Sequence, residues 1–341
     1  MKKVLCMAAV ALLTASCSNN EENIPVPESK INAPAIHISQ SVSGISTKAP
    51  VTAGKEVTAT VVMVDAAGST ADWTKFNQVT TNTVSASGTF EEDSHRATVS
   101  AAKFVAGTAS EVTLAPSLYY AVKAASNHSH IAAVSPKGTV NGLTIEIADL
   151  DGEQDVMFAK SMDAGFGTSK TPDLNLTFEH VTTQLIFKAK LTPAANNGAW
   201  NKKASVKSIT IQDAQMPKAV DFSDGSVTWT NPANLLVPNV SSVTIGEGTP
   251  SVVGNQVMIQ ASAEIVVNVV ITGGDGKDYA YDNVVIMKES NQLVTTAGHS
   301  HEITLTVTEP SEATGPGVTR ITTTATVKDW VPGDTGSGNL Q

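Results

Sequence analysis

Apolar and polar residues alternate with a period of two over most of the chain that follows Pro50. Successive side chains of a β-strand point to opposite faces, whereas an amphipathic helix repeats every ~3.6 residues. The pattern therefore predicts strands, as in KEVTATVVMV (55–64) and HEITLTVT (301–308), and no long stretch has the helical period. Further strands are predicted at 96–104, 118–126, 142–148, 174–180, 182–191, 205–212, 225–230, 256–260, 264–272, 278–287 and 321–330.

Short segments rich in Gly, Asn and Ser separate these strands, and they predict antiparallel sandwiches or barrels. The segment GGDGKD, with Gly273, Gly274 and Gly276, has strands on both sides and predicts a hairpin turn, not a phosphate-binding loop. The loop GFGTSKTPD (165–173) is the predicted domain boundary. An N-terminal β domain then covers residues 36–172 and a C-terminal β domain covers residues 173–341.

The chain is acidic, with a formal net charge of -10 over 341 residues. An acidic chain gains nothing from neutralising phosphates, so nucleic acid is excluded as an expected partner. Only 16% of the residues are charged, while Thr, Val, Ser and Ala are abundant. This balance is typical of secreted β proteins.

The N-terminus has the pattern of a lipoprotein signal peptide over residues 1–16. A basic start precedes an apolar run from Val4 to Leu13, which is shorter than the roughly 20 residues of a membrane-spanning helix. Ala15 and Ser16 are small and precede Cys17, as cleavage between Ser16 and a lipid-carrying Cys17 requires. The alternative is an ordinary signal peptide with an incidental cysteine. Loss of Cys6 with the signal would leave Cys17 without a disulfide partner.

Residues 17–35 contain several prolines and no periodicity, which predicts a solvated tether. Residues 36–48 (IHISQSVSGISTK) alternate again and form a candidate first strand that ends at a basic residue, Lys48.

Two His-x-His pairs, His128 with His130 and His299 with His301, are the first candidates for a metal site. In a strand, both imidazoles of a pair would share a face, as zinc ligands can. Each pair adjoins a Gly, Asn or Ser turn and has no defined third ligand, so solvent-facing turn histidines are the favoured interpretation and no metal is assigned.

The acidic segment DLDGEQD, with Asp149, Asp151, Glu153 and Asp155, resembles a fragment of a calcium loop. The helix–loop–helix frame and the glycine and glutamate positions of an EF-hand are missing, so an acidic turn is favoured over a cation site. No G-x-S-x-G motif occurs, and no cysteine nucleophile would survive maturation. The sequence therefore predicts a protein that is not an enzyme and has no cofactor, although paired carboxylates of a glycoside hydrolase could still meet in space.

Five stretches in order along the chain resemble the fimbrillin family, the type V pilins that are exported as lipoproteins. They are LYYAVKAAS (118–126), DVMFAKS (155–161), LTFEHVTTQLIFKAKL (176–191) with Phe178 and His180, GHSHEITLTVT (298–308), and ITTTATVKDWVPGD (321–334) with Trp330 and Gly333.

The resemblance implies two transthyretin-like antiparallel β-sandwich domains in tandem and assembly by strand exchange. A trypsin-like protease would cut between Lys48 and Ala49, where family subunits often have Arg, and the strand from Ile31 to Thr47 would leave. The C-terminal segment of a neighbouring subunit, near Ile321 to Gln341, would fill the groove. In the alternative, Lys48 lies in a solvated connector and is not cut.

These expectations describe a lipoprotein of the outer membrane, exposed at the cell surface, that enters a fimbrium after maturation. Its partners would be other pilus subunits, the outer membrane through the lipid, and a host or bacterial surface ligand. The polar tail GDTGSGNLQ is a poor donor strand, so ITTTATVKDW could instead remain in the second domain. The alternative function is a permanently anchored lipoprotein that binds a glycan or host ligand and does not polymerise.

Overall fold

The structure, a computed structural model, describes residues 35–42, 54–78, 97–106, 111–121, 127–167, 169–172, 174–193, 198, 200, 203–240, 243–309 and 321–329. In the first half of the chain the strands are β1 Ser39–Val42, β2 Glu56–Ala67, β3 Ala97–Val105, β4 Thr113–Ala115, β5 Asn127–Ser135, β6 Thr139–Asn141, β7 Thr144–Glu146, β8 Met157–Phe166, β9 Ser169–Lys170 and β10 Asn175–His180. A 3₁₀ helix spans Trp73–Gln78.

In the second half the strands are β11 Thr183–Leu191, β12 Ser205–Ala214, β13 Pro217–Asp221, β14 Val227–Trp229, β15 Ala233–Leu236, β16 Val243–Thr244, β17 Ser251–Val252, β18 Val257–Ile259, β19 Val266–Thr272, β20 Asp278–Val285, β21 Met287–Lys288, β22 Asn291–Gln292, β23 His299–Val307 and β24 Ile321–Asp329. Strands thus dominate the described part of the chain, which confirms the predicted all-β fold. No helix in that part has the length and apolar character needed to cross a bilayer.

Sheet A has the order β1-β10-β8-β5-β2-β3-β4, with β9 paired to β8. Its central strand β2 is buried on both faces, because apolar residues stand at consecutive positions from Val61 to Val64. Val61 and Met63 face one core together with Phe104, Ile131 and Phe178.

Val62 and Val64 face a second core, which sheet B and the 3₁₀ helix cover. Sheet B has the order β14-β13-β7-β6 and so combines strands from both halves of the chain. Trp73 and Phe76 of the helix pack on Phe222, with ring centroids 5.2 Å and 4.8 Å from it. The hairpin β13–β14 therefore attaches the second half of the chain to the first.

Sheet C (β17-β11-β23-β24, with β18 paired to β11) and sheet D (β15-β12-β19-β20, with β16 paired to β12) form a β-sandwich. Its core is formed by the inward side chains of β11, β12, β19 and β23, and apolar residues occupy every second position in these strands. Trp200 fills one end of this core and packs on Tyr279. GGDGKD joins β19 to β20 as a hairpin, as predicted, and Gly276 there has a φ of 80° that favours glycine.

β10 at Asn175–His180 pairs in sheet A, and the next strand, β11, pairs in sheet C. One detail differs from the sequence-based expectations. Residues 118–126 were expected to form a strand, but the described part of that range makes only an isolated bridge at Tyr119. The alternation there instead reflects burial of Leu118 and Tyr120 in the core.

Candidate functional site

Residues 35–42, called the closing segment below, lie between the two ends of sheet A. On one side, Ser39–Val42 pairs in parallel with residues 175–178 of β10. Ser39 N also donates a hydrogen bond of 2.9 Å to Leu174 O. Parallel and antiparallel strands have the same side-chain period, so the sequence could not predict this orientation.

On the other side, the closing segment pairs with the chain around β4. Ile36 N donates to Leu118 O, and Val112 N donates to Ile38 O, each at 2.8 Å. Both sides of one short segment are therefore paired, and the segment closes sheet A into a barrel-like layer.

Alternate side chains of the closing segment enter the core of sheet A. Ile36, Ile38 and Val42 are buried there. Beneath them, Phe104 and Phe178 stack with ring centroids 5.1 Å apart. The segment thus fills an apolar slot as well as completing the backbone pairing.

The remaining inward position holds a polar residue, Gln40, which is only 3% exposed. Its side-chain Nε2 donates a hydrogen bond of 2.9 Å to the carbonyl oxygen of Val105 at the end of β3. The alternation of Ile36, Ile38 and Val42 places position 40 inward, but the sequence gave no sign of the hydrogen-bond partner of Gln40.

The outward side chains of the closing segment make contacts near the solvent. His37 contacts Glu111, and both side chains are more than half exposed. Asn175 Nδ2 donates to Ser41 Oγ at 3.0 Å. Exposed contacts of this kind contribute little to stability, so the inward side chains and the backbone hold the segment.

The processing residues predicted from the sequence lie outside the described residues. These are Ser16 and Cys17 in the signal region, and Lys48 and Ala49 at the candidate cut. Trp330 and Gly333 of the final motif also lie outside them.

The C-terminal strand β24 pairs with β23 over nine residues, from Ile321 opposite Val307 to Asp329 opposite His299. Thr323 is buried, and its Oγ1 accepts from Met287 N at 2.9 Å. This strand is therefore part of sheet C, which agrees with the alternative that ITTTATVKDW remains in the second half of the chain.

A buried pair joins two of the motifs found in the sequence. Asp155 stands just before β8 and His180 ends β10, and Asp155 Oδ1 lies 2.7 Å from His180 Nδ1. Their side chains are 1% and 2% exposed. Asp155 is therefore not one of the exposed carboxylates of an acidic turn, because its carboxylate points inward and contacts His180. In the sequence, Asp155 differs from Asp149 and Asp151 in that it opens the motif DVMFAKS (155–161), and this motif was a signal for its role.

The expectation of solvent-facing turn histidines is wrong for the second member of each pair. His130 in β5 and His301 in β23 are each 1% exposed. His130 Nε2 lies 3.1 Å from Gly68 O, and burial lowers the pKa of this histidine. His128 remains nearer the surface, with Nδ1 2.7 Å from Asp163 Oδ2. Among the described residues no three His, Cys, Asp or Glu side chains are grouped as a metal site.

His301 is neutral in the folded protein at neutral pH, so we expect the folded protein to lose stability in acid. Burial, with His299 and Lys288 adding smaller effects, lowers the pKa of His301 to about 4, from ~6.5 in an unfolded chain. Its stabilising contribution is therefore complete above about pH 6.5 and is lost as the pH falls towards 4, with a total on the order of 3 kcal/mol.

Urea unfolding at pH 7.5 and pH 4.5 checks this. Stability should fall less with acid in His301→Leu than in the wild type, whereas His37→Ala, altered at an exposed histidine, should follow the wild type. Equal acid sensitivity of His301→Leu and the wild type would contradict the assignment.

Comparison with known proteins adds a family and a fold. A family model described as fimbrillin-like matches residues 62–330, which is most of the chain. Among curated protein sequences, none matches. The crystal structure of a candidate cell adhesion protein from Bacteroides uniformis is similar at a TM-score of 0.52 and 14% identity, covering 88% of this chain and 98% of that one.

A candidate cell adhesion protein from Bacteroides ovatus is similar at a TM-score of 0.50 and 13% identity, covering 89% of this chain and 100% of that one. At these identities the two likenesses show a common fold.

Proposed function

Because this chain belongs to the fimbrillin-like family, we propose that it is a structural subunit of a cell-surface pilus that assembles by strand exchange and supports adhesion. The observation that carries the proposal is the closing segment. It pairs on both sides within sheet A and fills an apolar slot with Ile36, Ile38 and Val42. A segment of this kind can be replaced by a strand of another subunit.

After loss of the closing segment, a groove filled by another strand is more stable than an empty groove. Three fully buried aliphatic side chains contribute roughly 5–9 kcal/mol by burial alone. That is comparable with the net stability of an ordinary domain, about 5–15 kcal/mol. Loss of the segment would also leave the backbone groups of Leu118, Val112 and Leu174 without these partners. A domain with an open groove is therefore marginal until another strand enters.

Proteolysis between Lys48 and Ala49 would release the segment. This site follows the closing segment and precedes β2. The lipid on Cys17 would first hold the precursor at the outer membrane, and it would leave with residues 17–48. The mature subunit would then pass from the membrane to the fimbrium, and its partners there would be other pilus subunits.

The architecture fits two tandem domains of the transthyretin-like type. Sheet A with β6 and β7 would form the first and sheets C and D the second, with the junction near Val181. The hairpin β13–β14 would reach back from the second part of the chain and complete sheet B. We infer a structural role and not an enzymatic one from the family. The donor strand would come from the C-terminal region of a neighbour, beyond β24 or including it.

Substitution of Lys48 tests this function directly. In cells that assemble fibres from this subunit, Lys48→Ala is expected to abolish its incorporation, because the closing segment stays covalently attached. Electron microscopy with antibody labelling measures this. Lys48→Arg should retain incorporation, and so should Lys55→Ala, which changes the next lysine along the chain. Undiminished labelling of fibres in Lys48→Ala would overturn the strand-removal mechanism.

A further inference from the structure

We propose that the groove occupied by the closing segment selects its incoming strand through one polar position. The strand needs apolar side chains at the first, second and fourth inward positions, and a side-chain amide at the third. This inference rests on the proposed function, and it specifies the chemistry of the partner strand.

The four inward positions are those of Ile36, Ile38, Gln40 and Val42. Three belong to the apolar core of sheet A. The third faces the carbonyl oxygen of Val105, which accepts a 2.9 Å hydrogen bond from Gln40 Nε2. The groove therefore contains one hydrogen-bond acceptor, the Val105 carbonyl oxygen, opposite its third inward position, and apolar side chains at the other three.

An acceptor at this place discriminates between side chains. An amide N–H donates to it, an aliphatic side chain cannot donate to it, and a carboxylate sets negative charge against that oxygen. Glutamine is also long enough to span from the strand to Val105 O, as Gln40 does.

The same acceptor fixes the register. If a strand with the Ile-x-Ile-x-Gln-x-Val pattern moved by two residues, an aliphatic side chain would face Val105 and the amide would enter an apolar position. A shift of one residue would turn every inward side chain outward. The polar position therefore sets where the incoming strand stops, which apolar pockets alone would not do.

Residues 321–341 of this chain are a poor match to the pattern. Asn339 and Gln341 carry the side-chain amides there, and the alternate positions before Asn339 are Thr335 and Ser337. The register Ala325, Val327, Asp329 and Val331 has suitable apolar positions but puts a carboxylate at the polar one. The groove thus fits a strand from a different subunit better than one from a second copy of this chain.

Peptide exchange tests the proposal on the precursor without its signal peptide (residues 17–341), with a site-specific protease sequence inserted after Thr47. After cleavage, fluorescent peptides of residues 35–47 compete with the cut segment, and native mass spectrometry and anisotropy measure their binding. The wild-type peptide should replace the segment. Peptides with Gln40→Leu and Gln40→Glu should bind about three- to tenfold more weakly, since loss of one part-buried hydrogen bond has about that effect. A peptide with His37→Ala, changed at an exposed position, should bind within about twofold of the wild type.

The outcomes separate the two claims. If the wild-type and Gln40→Leu peptides bind equally well, the polar selection is overturned while strand exchange stands. If no peptide enters the cleaved protein, the groove does not accept strands, and both the selection and the proposed function are overturned.

Discussion

Asp155→Ala is expected to lower the free energy of unfolding by about 3–5 kcal/mol, because it breaks a buried pair by removing one partner. The Asp155 carboxylate lies 2.7 Å from His180 Nδ1, and both side chains are almost fully buried. His180 ends β10, the strand on which the closing segment pairs. Urea unfolding followed by tryptophan fluorescence measures the loss.

Asp149→Ala is the matched control, since Asp149 stands in the same acidic segment but is exposed. We expect a change of about 0.5 kcal/mol or less for this variant. If both variants lost the same stability, the buried pair would not be the reason for the effect.

Ile38→Ala is expected to lower the free energy of unfolding by about 2–5 kcal/mol and to loosen the closing segment first. Ile38 is buried in the core of sheet A, and its carbonyl accepts the hydrogen bond of Val112 N. Amide hydrogen exchange should therefore accelerate at Val112 more than in β11 and β23 of sheet C.

Ser41→Ala serves as the control on the same segment, because Ser41 points outward and is exposed. It should leave exchange at Val112 close to that of the wild type. Exchange in Ile38→Ala that accelerated equally in both halves of the molecule would mean that the segment does not open as a separate unit.

Strand positions could be predicted because they depend on local alternation. The period of two located β2, β11 and β23 within a few residues, since each buries alternate side chains over a long ladder. Pairing partners could not be predicted in the same way. The parallel pairs β1–β10 and β11–β23 join strands that are far apart in sequence, and alternation carries no information on direction.

The contacts of the polar residues in the candidate site could not be predicted from local alternation either. The alternation of Ile36, Ile38 and Val42 places Gln40 inward, but nothing near it in the sequence identifies its hydrogen-bond partner. Asp155 follows the acidic segment 149–154 and so resembles a surface residue. Both are buried because Val105 and His180 meet them from distant strands. His301 was expected at the surface for the same reason, and it is buried because β23 pairs on both sides, with β11 and β24.

We propose that the closing segment is removed and that a strand of a neighbouring subunit takes its place. The most direct measurement is the intact mass and N-terminal sequence of this subunit after its release from purified fibres. We expect a chain that begins at Ala49 and carries no lipid. Fibre subunits that all retain residues 35–42 together with an acylated Cys17 would contradict the account.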